Sequence, residues 1–211
     1  MRLDHVSYAA RPDGLDATAR ALAGELGVDL IDGGAHPRFG TRNRILPLAG
    51  GHYIEVVAAL EHPSTDDIPY GQAVKACSEQ GGGWLGWVVA VDDIGPVEQR
   101  LGRPAMAGNR KRPDGFELAW RQVGVCGLVV DPQLPFVVHW QSDPAEHPSK
   151  GGDGVELVSI EIAGDPRRVT DWLGQTQNFP LEDVHVSWVD PDGPPGVRSV
   201  MFRTEAGLVR L

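Results

Sequence analysis

The chain of 211 residues has only two cysteines, Cys77 and Cys126, and no CxxC pair. A disulfide framework is therefore not expected, and both cysteines read as reduced thiols of a cytoplasmic protein. No apolar run approaches the roughly 18 residues of a membrane span. No basic segment followed by an apolar one opens the sequence, so no signal peptide is expected. Positive charge is also scarce: 19 Lys and Arg face 29 Asp and Glu, a net charge of −10. Such a field disfavours nonspecific binding to nucleic acid or to an anionic membrane. Aromatic residues make up 7% of the chain, too few to single out an aromatic-stacked ligand site. Glycine and proline are plentiful instead, 27 and 17 residues, which favours many turns and short strands over long helices.

The opening run, LDHVSYA (3–9), alternates as a strand with Leu3, His5 and Ser7 on one face and Asp4, Val6 and Tyr8 on the other. A helix over 15–26 follows, with an apolar stripe and Gly27 as its stop. Strands over 28–32, 43–48 and 52–58 complete a βαβββ unit. The order returns with a strand over 85–91, a helix over 93–102, a weak strand over 104–108, and strands over 116–124 and 135–141. It returns again over 155–163, 165–174, 184–189, 197–204 and 207–211, where Asp165 and Pro166 form a helix start. The pairs His5/Glu55, Gly86/His139 and Ser159/Arg210 stand about 50 residues apart in their units, as an internal repeat requires. The expected division is 1–60, 84–142 and 155–211. A helix over 69–79 lies in the first connector, and the polar stretch 142–154 forms the second.

The runs LDHVSYAARPD, GGAHPRFGTRNRILPLAGGHYIEVVA, GWVVAVDDI, RKRPDGFELAWRQVGV and PFVVHW resemble the glyoxalase-like proteins of the vicinal oxygen chelate superfamily. The resemblance covers about residues 2–142. It implies an α+β fold in which two βαβββ modules curl into an open cup, with the third module as a C-terminal extension. It implies a divalent metal (Zn, Ni, Mn or Fe) held by ligands from the first and last strands of the modules. Carried onto this chain, the positions are His5, Glu55, Gly86 and His139. Glycine cannot ligate, which leaves His5, Glu55 and His139 as the metal set. The alternation in HYIEVV and PFVVHWQ is consistent with Glu55 and His139 facing the cup while their apolar neighbours face helices.

Further residues read from alternation are Asn43, on the face of Ile45, and Arg42, which with Arg38 and Arg44 could meet an anionic group. Glu117 and Arg121 are placed toward the cup, and Trp140 toward the helices. His36, His52, His62, His147 and His185 are read as solvated, and GNRKRP (108–113) as a solvated loop. The leading function is metal-assisted lyase or isomerase chemistry on a small oxygen-chelating substrate, with Glu55 as ligand or base. The rivals are a metal-free cup that sequesters a small molecule, and a noncatalytic homodimer built on the third module.

Overall fold

The computed structural model describes residues 1–127, 131–175 and 181–211, and of Pro63, Ser64 and Cys126 the backbone alone. The first module consists of β1 (Arg2–Ala9), α1 (Leu15–Leu26), β2 (Ile31–His36), β3 (Thr41–Pro47) and β4 (Tyr53–Ala59). Gly27 ends α1 in the left-handed conformation, and its N–H donates to the Ala23 carbonyl. The connector helix α2 (Pro69–Glu79) leads to the second module: β5 (Gly83–Ala90), α3 (Gly95–Leu101), β6 (Met106–Lys111), β7 (Glu117–Val123) and β8 (Phe136–Trp140). The strand expected at 104–108 thus lies two to three residues further on, and GNRKRP is mostly strand rather than loop.

The eight strands close in the order β1-β4-β3-β2-β6-β7-β8-β5. In each module the first strand pairs parallel with the last, β1 with β4 and β5 with β8. β1 and β5 join the modules antiparallel on one side. On the other side a single bridge, Ala35 to Lys111, closes the expected open cup into a barrel. Residues pointing outward, such as Val6, Ile54, Val56 and Val89, form a core with α1. Those pointing inward, such as Val57, Val88, Leu118 and Phe136, form a second core within the barrel.

The third unit repeats the element order with β9 (Glu156–Ala163), α4 (Pro166–Leu173), β10 (His185–Val189), β11 (Gly196–Thr204) and β12 (Gly207–Arg210). Asp165 caps α4 by accepting from the Arg167 N–H. Its strand order, β10-β9-β11-β12, differs from that of the barrel modules: β9 takes its parallel partner from the strand directly after the helix. The apolar face of this sheet, including Leu157, Ile160 and Phe202, joins the outward core of the barrel. Phe202 stacks near Trp84 of β5, with ring centroids 6.4 Å apart, and the Trp84 indole donates to the Leu211 carbonyl. Of the two covers expected for this face, the second module or another subunit, the structure shows the barrel of the same chain.

Candidate active site

The cavity inside the barrel is built first by a fault in β1. Leu3 lies opposite Val89 and His5 opposite Val88, so Asp4 is an extra residue, a β-bulge. The bulge breaks the expected alternation: Leu3 joins Val6 in the outward core, while the Asp4 carboxylate bonds to the His5 ring. Asp4 is fully buried and accepts from the Trp140 indole at 3.0 Å, and it pairs with His5 Nδ1 at 2.8 Å and His147 Nε2 at 3.1 Å. Burial pushes its carboxyl up, but the bonds and charges of His147 and His5 outweigh that and hold it far below the usual carboxylate range. An ionised Asp4 only accepts, so His5 carries its proton on Nδ1 and turns Nε2 toward Glu55, 3.8 Å from Oε2. Tyr53 stacks on the His5 ring at 4.4 Å and fixes its plane.

Glu55 faces inward from β4, between the outward Ile54 and Val56. Asn43 Nδ2 donates to Oε1 at 2.6 Å, and Ser7 Oγ donates to Oε2 at 3.0 Å. Burial alone raises the Glu55 carboxyl; the His5 and His36 rings and the bonds from Asn43 and Ser7 bring it below its ordinary value. His36 is buried beside it, and burial pushes the ring down to about 4, so at neutral pH it is uncharged. The remaining wall is largely apolar and aromatic, with Tyr70, Trp120, Phe136 and Trp140 among its residues. The centres of water molecules sweep about 50 Å³ of the cavity. One water needs ~10–15 Å³ by such a measure, so the free space holds about three to five waters.

The structure brings His5, Asn43 and Glu55 together and sets the other expected residues apart. Phe136, Val138 and Trp140 line the cavity, so His139 points outward, where Nδ1 lies 3.2 Å from the Val91 carbonyl. On β7 the inward residues are Leu118, Trp120 and Gln122. Arg121 pairs outward with Glu98 of α3 at 2.7 Å, and Glu117 accepts from Asn109 on the exposed side. The parity of both strands is thus the reverse of that expected. Polarity marks the inward face only where the interior is polar, and this half of the barrel is lined by hydrophobic residues while short α3 leaves β7 half-exposed. Arg42 and Arg38 are exposed, and Arg44 pairs with Asp16 and Asp32. His36 and His52 are buried and His147 is nearly so, contrary to their reading as solvated.

The metal set His5, Glu55 and His139 is therefore not assembled. Among the described residues no group of three His, Cys, Asp or Glu side chains is placed to hold a metal. His5 is oriented by a carboxylate as metal-binding histidines are, but both Glu55 oxygens already accept hydrogen bonds. Opposite His5, the second module presents Val88. These residues do not fit a metal held by three protein ligands.

Two polar cavity residues, Arg110 and Gln122, were not among the expected site residues. Arg110 of β6 is 5% exposed and Gln122 of β7 is 4% exposed. Arg110 Nη1 donates to Asn43 Oδ1 at 3.2 Å, and the Trp120 indole donates to Gln122 Oε1 at 2.9 Å. Two glycines make room for this wall. A Cβ at Gly33 would fall 1.9 Å from Asn43 Oδ1 and 2.8 Å from Arg110 Nη1. A Cβ at Gly108 would fall 2.3 Å from the Trp120 indole. The glycine pair in IDGGAH was the available signal, since a strand glycine often marks close approach.

No helix among the described residues is long and apolar enough to cross a membrane. No curated protein matches the chain. Among solved structures, a hypothetical protein from Staphylococcus aureus aligns over 99% of this chain and 98% of its own, at 13% identity and a TM-score of 0.72. That likeness shows a shared fold across all three units. Methylmalonyl-CoA epimerase from Mycobacterium tuberculosis covers 66% of this chain and 86% of its own, at 16% identity and a TM-score of 0.44. A Streptomyces coelicolor methylmalonyl-CoA epimerase variant in complex with 2-nitronate-propionyl-CoA covers 67% and 99%, at 17% identity and a TM-score of 0.45. Residues 3–177 match the family described as glyoxalase-like domain, most of the chain, and the protein belongs to that family.

Proposed function

We propose that the barrel cavity is the active site of a small-molecule enzyme that moves a proton at a carbon next to a carbonyl group, an isomerase- or lyase-type reaction. The observation that supports it is the buried pair at the cavity wall: an ionised Glu55 facing His5 Nε2 across 3.8 Å, with His5 held from behind by Asp4. Glu55 takes the proton as the C–H bond breaks, and the electron pair moves onto the carbonyl oxygen. His5 Nε2 is the ring nitrogen that faces the reacting atoms, and a proton carried there would be donated to that oxygen. Return of the Glu55 proton to carbon completes the transfer. Asn43 and Ser7 fix both carboxylate oxygens, so the base is positioned before substrate arrives.

The test follows C–H to C–D exchange by proton NMR in D₂O, over a panel of α-oxo and α-hydroxy compounds of three and four carbons. Exchange by the wild type that is lost in Glu55→Gln is the expected result. If no compound exchanges beyond the protein-free rate, or Glu55→Gln exchanges equally, the proposal is overturned.

A second reading draws on the aromatic wall formed by Tyr53, Tyr70, Trp120, Phe136 and Trp140. In that reading the cavity sequesters a small molecule without turnover. It predicts binding with no exchange.

A further inference from the structure

Arg110 is a buried cation with no carboxylate in direct contact among the described residues; Glu55 and Asp32 act on it only from further off, Glu55 across the Asn43 amide. Its hydrogen bond to Asn43 goes to a neutral amide oxygen, and Nε has no partner among the described residues. Among the described residues no carboxylate lies within ion-pair distance of it. Glu55 is directed instead at Asn43, Ser7 and Tyr70. A guanidinium out of water costs several kcal/mol unless a charge partner and hydrogen bonds compensate, and arginine stays protonated at any accessible pH. Gln122 Nε2, of a residue on the same cavity wall, is also buried with no partner among the described residues. Two side chains that line one cavity therefore each keep a donor unused, and one of them is permanently charged. The glycines at 33 and 108 show that the strands are shaped around this wall.

We propose that Arg110 is the carboxylate-binding residue of the cavity, so that the molecule taken is a small carboxylic acid bearing a second oxygen, with Gln122 donating to that oxygen. This rests on the reading of the cavity as the active site and adds the substrate class. A forked guanidinium suits a planar carboxylate. The free space inside the barrel suits a small acid. Glu55 repels a second negative charge nearby, which favours a monocarboxylate with its reacting carbon toward Glu55 and its carboxylate toward Arg110.

The probes are sodium lactate and its neutral isostere lactamide, titrated by calorimetry into wild type, Arg110→Met, Arg110→Lys and Glu55→Gln. Folding of each variant is checked by its amide NMR spectrum. Lactate is expected to bind at least about tenfold more tightly than lactamide, with that preference lost in Arg110→Met and partly kept in Arg110→Lys. Glu55→Gln is expected to keep lactate binding while losing carbon–hydrogen exchange, which separates this inference from the proton-transfer proposal. Equal binding of lactate and lactamide, no lactate binding, or undiminished binding in folded Arg110→Met overturns the assignment. So does inorganic phosphate competing as well as lactate.

Discussion

Lowering the pH should unfold this protein partly through one ring. His36 sits at the end of β2 with 6% of its surface exposed, its ring edge-on to Trp120 at 6.0 Å. Burial, aided by Arg110 and His5 and opposed by Glu55, takes its pKa from 6.5 to about 4. The folded protein therefore refuses a proton that the unfolded chain accepts. Its contribution is fully present above pH 6.5 and is lost as pH falls toward 4. A shift of that size is worth ~3 kcal/mol in full, and ~2 kcal/mol of it is lost by pH 5. The assay is urea unfolding at pH 7.5, 6 and 5 for wild type and His36→Phe, which keeps an aromatic ring against Trp120. His52, also lowered chiefly by burial, contributes equally to both proteins and cancels in the comparison. Relative to His36→Phe, the wild-type midpoint should fall by roughly 1 M urea between pH 7.5 and 5. Parallel losses in the two proteins would refute the reasoning.

Two further substitutions probe the supports of the site and the place of the third sheet. Asp4→Asn removes the charge that accepts from Trp140 and bonds His5 and His147, all in a buried setting; the expected loss is ~2–3 kcal/mol, read as a thermal midpoint lower by roughly 5–10 °C, and an unchanged midpoint sinks the bulge-centred account. Phe202→Ala deletes a fully buried ring that joins β11 to the barrel through Trp84; the expected cost is ~3–5 kcal/mol in a single unfolding transition, whereas a separate early transition would mean that the third sheet folds apart from the barrel.

Much of the site follows from short-range alternation, and the rest does not. Glu55 between Ile54 and Val56, and Asn43 two residues before Ile45, are legible as inward because the outward face of those strands is continuously covered by α1 and its neighbours. In β7 and β8 the same period of two predicts which residues share a face but not which face is interior, since apolar residues line the cavity there. Hence His139 and Arg121 were expected inward and Trp140 outward, and all three are reversed. Asp4 is misassigned for another reason: a one-residue bulge changes parity, and it is stabilised by Trp140 and His147, more than 130 residues away. Arg110 lies in a run whose composition reads as solvated loop, and only strand pairing with β7 turns it inward.

By itself the sequence determined the thrice-repeated element order, the glycine-stopped helices, the inward placement of His5 and Glu55, and the resemblance to the glyoxalase-like family. These rest on local preferences and on periodicity, which neighbouring residues carry. Only the tertiary structure decided that the cup closes at Ala35 and Lys111, that the third sheet docks on the barrel, and that Arg110 and Gln122 line the cavity, each with one donor left over among the described residues. Those outcomes depend on which surfaces meet across the chain, and burial, not local sequence, gives a charge or an amide its consequence.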